Sequence, residues 1–103
     1  MAGARAGRAR LRALAQSAVG PPIGLALLRS GRPAEAVTHF RLAVAAIPSD
    51  PALRNYLGLA LLAVGEPEPA LGHFRLAVRL DPSNAEAQAN LAALVGDHAG
   101  RRP

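Results

Sequence analysis

His39-Phe40-Arg41-Leu42-Ala43-Val44 returns unchanged 34 residues later as His73-Phe74-Arg75-Leu76-Ala77-Val78. Laying residues 17–50 over 51–84 at that offset brings Gly24-Leu25-Ala26-Leu27-Leu28 onto Gly58-Leu59-Ala60-Leu61-Leu62. Ala18, Gly31, Pro33, Ala36, Pro48 and Ser49 also fall on identical partners, so 17 of 34 positions agree without a gap. An apolar composition alone does not produce that agreement. The chain is a duplicated unit, and a period of this size means that each unit buries its apolar face by stacking on the next.

The recurring marks within the unit are Leu57-Gly58, Leu61, Ala70, Phe74, Ala77 and Pro82. One period earlier they are Ile23-Gly24, Leu27, Ala36, Phe40, Ala43 and Pro48. This pattern resembles the tetratricopeptide repeat, a helix-turn-helix of 34 residues with Leu-Gly, an aromatic three residues on, Ala-x-x-x-Phe and a closing Pro. Leu91-Ala92 and Val95 continue the register into a third first helix. The departures are Gly20, Arg54 and Gln88 in the family's Trp place, and Leu27, Leu61 and Val95 in its Tyr place. The resemblance implies an all-α helix-turn-helix solenoid of two such units plus a C-terminal capping helix. The expected division is an Arg/Ala-rich N-terminal segment over 1–16, helical or partly disordered, repeats over 17–50 and 51–84, a capping helix over 85–95 and a flexible tail over 96–103.

Punctuation residues refine the helix ends. Pro21-Pro22 suits a first helical turn and not an interior, so the first helix should start late, near Pro22, and end at Ser30 before Gly31. Asp50 ahead of Pro51 reads as an N-cap, and Ser83-x-x-Glu86 reads as a capping box. Helices are thus expected near 22–30, 34–47, 51–64, 67–80 and 84–95. Small residues at Gly24, Gly58, Ala36, Ala43, Ala70 and Ala77 let backbones approach, with Phe40 and Phe74 filling the space between them. Gly24, Phe40, Gly58 and Phe74 are therefore the expected structural core.

Composition narrows the function. A chain of 103 residues with an apolar half forms one small core. Without Cys there is no disulfide, thiolate nucleophile or sulfur metal site. All 12 basic residues are Arg, and the net charge of +5 comes from the ends: Arg5, Arg8, Arg10 and Arg12 open the chain, and Arg101 and Arg102 close it. The body between is near neutral. No run approaches the roughly 18 apolar residues of a membrane span, and the expected location is cytoplasmic.

Leu11, Leu14, Ala15 and Ala18 recur at helical spacing beside the arginines, and three readings of that segment stand together. It can cap the first repeat, it can serve as a mitochondrial presequence, being Arg-rich, amphipathic and free of acids, or it can tether the chain to anionic groups. No aromatic interleaves the arginines to stack on bases, which argues against nucleic acid as a partner.

The sequence offers no catalytic constellation. His39 and His73 are repeat equivalents on successive second helices and do not converge on a metal. No nucleophile elbow and no Gly-rich phosphate loop is present. The expectation is a non-enzyme without cofactor or metal. In the family that the chain resembles, the stripe of the first helices lines a concave groove for a peptide or partner helix. Here that stripe reads Leu25 and Leu28, then Asn55, Leu59 and Leu62, then Glu86 and Asn90. An apolar surface of this kind marks a contact site, so the expected partner is another protein or peptide, with self-association into a homo-oligomer as the competing reading. Some family members clamp acidic C-terminal tails with Lys, Arg and Asn on this face. The corresponding places hold Pro21, Leu25, Tyr56, Glu86 and Asn90, and only Asn90 fits.

Overall fold

The computed structural model describes residues 21–100, with side chains over 23–96. Five helices run through the described residues: α1 Pro21–Arg29, α2 Pro33–Ala46, α3 Pro51–Ala63, α4 Pro67–Leu80 and α5 Ala85–Gly100. The segment 1–16 with its four arginines, and Arg101 and Arg102, lie outside the described residues. Helices α2 and α4 have the same length and sit 34 residues apart, so the sequence repeat is also a structural one. The fold is an all-α repeat solenoid.

The turns inside each repeat are set by glycine. Gly31 and Gly65 have φ of 74° and 82°, the left-handed region that side chains disfavour. Around them the amide of Arg32 donates to the carbonyl of Leu27 and that of Gly31 to Leu28; one period on, Glu66 donates to Leu61 and Gly65 to Leu62. This paired pattern closes a helix by satisfying its last carbonyls. Pro33 and Pro67 then open the second helices in the first turn, where no amide is missed.

The boundary between repeats is held by side chains. Asp50 Oδ1 accepts from the amides of Ala52 at 2.9 Å and Leu53 at 3.3 Å, as an N-cap carboxylate should. The last helix differs from expectation at both ends. Its cap is Asn84, whose Oδ1 accepts from the amide of Ala87 at 3.0 Å. Ser83 lies one residue too early and donates its hydroxyl to Asp81 at 2.6 Å, so the Ser83–Glu86 box does not form. The helix also passes Val95 and continues through Gly96 to Gly100. Gly96 does not take the positive φ that ends α1 and α3, and an interior Gly costs only about 1 kcal/mol relative to Ala.

The core lies where the two layers of helices meet. Ala36, Phe40, Ala43, Ala60, Ala70, Phe74 and Ala77 are completely buried, and Leu53, Leu57 and Leu61 nearly so. Gly24 and Gly58 abut the rings of Phe40 and Phe74. Phe40 in turn stacks on Tyr56 with ring centres 5.7 Å apart, which ties the second helix of one repeat to the first helix of the next.

Successive helices pack in chain order, and among the first helices α3 also touches both α1 and α5. The second helices α2 and α4 make no comparable contact. The stack therefore closes up on its first-helix side and fans open on the other.

Candidate functional site

The first-helix face departs at Asn55 from the stripe read off the sequence. Asn55 is 1% exposed and is the buried polar residue of the core. Its Oδ1 accepts from Asn90 Nδ2 at 2.9 Å, so the two amides bridge α3 and α5 inside the stack. A buried amide without a partner is costly, and this pair satisfies part of each. Asn55 is thus a fixture between first helices and does not stand on the open face. On this face of α3 the residues that reach solvent are Ala52, Tyr56, Leu59, Leu62 and Ala63.

Leu25, Leu28, Leu59 and Leu62 are half-buried, each packed on one side against the core. Glu86 is exposed on the first turn of α5. Leu62, Asn90, Ala93 and Leu94 line an open depression of about 360 Å³ between α3 and α5. Of the expected groove residues, Leu62 and Asn90 share this depression and Asn90 is hydrogen-bonded to Asn55. Tyr56 and Ala63 of α3 and Leu94 of α5 stand beside the expected residues on this face.

Charge on the described residues is sparsely paired. Arg32 and Glu35 form an ion pair at 2.8 Å, both side chains more than half exposed, so it adds little to stability. Arg54 of α3 donates from Nε to the Pro48 carbonyl at 3.1 Å, and its Nη1 lies 3.4 Å from His73 Nδ1 on α4. Burial, then the charge of Arg54, then that of Arg41 on α2, hold the His73 pKa below its ordinary value of 6.5. The unfolded chain therefore takes up a proton near pH 6.5, whereas the native chain does so only at lower pH. Between those two values unfolding binds a proton, and stability falls as pH falls. Urea midpoints are expected to drop between pH 7.5 and pH 5.5 in the wild type and to drop less in His73→Gln. Equal drops in both proteins would dissociate His73 from the acid sensitivity.

The family model described as Tetratricopeptide repeat matches residues 22–85, more than half of the chain. No curated protein matches it. The match spans α1 to α4 and both glycine turns, and it ends as α5 begins. With the 34-residue offset between α2 and α4 and the Gly–Phe contact in each repeat, the chain belongs to the tetratricopeptide repeat family.

Proposed function

We propose that this chain is a non-catalytic interaction module that holds an apolar peptide or partner helix against its first-helix face. Tetratricopeptide repeats generally mediate contacts between proteins. The observation that carries the finer reading is the half-exposed apolar strip of Leu25, Leu28, Tyr56, Leu59 and Leu62 over two neighbouring first helices. It continues into the depression beside Ala93 and Leu94. A ligand there gains by covering side chains already held in place by the core, and it meets Asn90 and Glu86 as polar edges.

Selection from a random peptide display library tests this. The expected winners are apolar sequences whose binding falls at least about tenfold, some 1.4 kcal/mol, in Leu59→Glu with Ala63→Glu, a pair chosen because neither side chain is fully buried. The helical melt of that variant must stay close to wild type. Winners indifferent to both substitutions would place binding elsewhere.

A second reading is favoured by α5 itself. Ala92 and Val95 occupy the places of Gly58 and Leu61, which are buried in the preceding repeat, yet Ala92 is exposed and Val95 is 43% exposed. A second copy covering this face would make the melting midpoint rise with protein concentration. A midpoint constant over a hundredfold range, with a monomer mass, would dismiss it.

A further inference from the structure

The start of the stack carries an apolar side with nothing on it. In the second repeat Leu57, Ala60 and Leu61 of α3 are 2%, 0% and 1% exposed. Their equivalents one period earlier on α1 are Ile23, Ala26 and Leu27, of which Ala26 is exposed and the other two only half-buried. Helix α2 makes the difference. It lies against α3, where Phe40 stacks on Tyr56 one turn from Ala60, and no helix among the described residues takes that place beside α1. This is a different side of α1 from the one that carries Leu25 and Leu28.

A second observation falls at the same end. His39 Nδ1 is buried and has no hydrogen-bond partner among the described residues. The equivalent nitrogen of His73 lies 3.4 Å from Arg54 Nη1, and in the first repeat Gly20 stands at the place of Arg54. The two repeats are otherwise built alike here, since Gly24 abuts Phe40 as Gly58 abuts Phe74. Gly20 has no side chain to offer the ring, and a buried nitrogen without a partner is costly. Both observations call for a cover at this end that the five helices do not supply.

The chain carries a fitting segment immediately ahead of α1. Leu11, Leu14, Ala15 and Ala18 recur at helical spacing, with Arg5, Arg8 and Arg12 on a neighbouring stripe that can stay in water. Val19-Gly20 has the length of the loop that joins two antiparallel helices, and Pro21 suits the first turn after it. A helix over 8–18 is long enough to lie along all nine residues of α1. We propose that residues 8–18 fold back as a helix on the open side of α1, where Leu11, Leu14 and Ala15 cover Ile23, Ala26 and Leu27 beside His39. The cover leaves the apolar strip free and does not depend on that strip binding anything.

The test uses the full chain with a nitroxide on Arg29→Cys, an exposed position at the far end of α1 in a sequence that has no other cysteine. In an antiparallel pair residues 8–11 return beside Arg29, so their amide NMR signals should be lost and should reappear when the label is reduced. In Leu11→Glu with Leu14→Glu the same signals should persist beside the active label. The amides of α1 in that variant should exchange with solvent at least about tenfold faster, while those of α3 and α4 keep their protection and show that the stack is intact.

Signals of residues 8–11 that survive the label in the wild type would overturn the proposal, as would an equal loss in Leu11→Glu with Leu14→Glu. A loss seen only when the nitroxide sits on a different copy from the one observed would give the cover to a second chain and overturn it too.

Discussion

Phe74→Ala should lower the thermal midpoint by roughly 12–24 °C or more and leave the chain largely unfolded at physiological temperature. Phe74 is completely buried, it rests on the bare backbone of Gly58, and Ala70 and Ala77 on its own helix are completely buried with it. Truncating such a ring removes its transfer energy and leaves a cavity, which together cost about 3–5 kcal/mol. A domain of this size has a total stability on the order of 5 kcal/mol, and each kcal/mol moves the midpoint by about 4–8 °C.

The neighbours have little means of closing the gap. Alanines have no rotamers with which to fill space, and the glycine has no side chain at all. Leu42→Ala is the matched control, since Leu42 is 54% exposed on the second helix of the first repeat and its loss should stay within about 0.5 kcal/mol. Circular dichroism melts of both variants decide the matter. A cooperative Phe74→Ala melt within a few degrees of wild type would mean that the Phe–Gly contact does not hold the stack together.

The legible part of this molecule was what recurs. The 34-residue offset put α2 and α4 in place, and Gly31, Gly65, Pro33 and Pro67 marked the turns, because each of those residues acts on its own backbone. Asn55 was misread because its environment comes from a helix far away in sequence. Asn55 belongs by periodicity to the same stripe as Leu59, and a polar side chain there reads as facing water. Its hydrogen-bond partner is Asn90, 35 residues on, and nothing within α3 announces it.

Ser83 gave a sound capping pattern, but the competing acceptor Asp81 lies two residues back and Asn84 stands at the actual helix start. The contact between Arg54 and His73 was invisible for a related reason. Two single basic residues on two helices form no motif until those helices are packed. One sign of it was nevertheless written in the repeat, since Arg54 breaks the match with Gly20 while its neighbour His73 keeps the match with His39.

Two glycines in helices of this chain are expected to respond to alanine with opposite signs. At Gly72, exposed in the middle of α4, an added Cβ meets nothing within 4 Å. Gly72→Ala should therefore gain the helix preference of alanine, about 0.5–1 kcal/mol. At Gly58 the Cβ would lie 2.5 Å from Cε1 and 2.8 Å from Cδ1 of Phe74, closer than carbon atoms approach. The same preference of about 1 kcal/mol is available there, but it competes with an overpacking cost of about 1–3 kcal/mol. The ring is completely buried and has nowhere to retreat, so the upper part of that range applies and the net effect should be a loss of about 1–2 kcal/mol. Gly24, whose Cβ would come within 2.2 Å of Phe40 Cζ, should behave alike.

A double-mutant cycle separates this steric account from a general intolerance of α3. If the clash is with the ring, Gly58→Ala should cost much less in a Phe74→Leu background, where the shorter side chain leaves room for one methyl group. The coupling should reach about 1 kcal/mol or more, as expected for residues in direct contact. Urea denaturation of the four proteins of the cycle, with Gly72→Ala beside them, gives every quantity needed. Were Gly58→Ala as stable as Gly72→Ala, or equally costly with and without the ring, the glycine would not be there to admit Phe74.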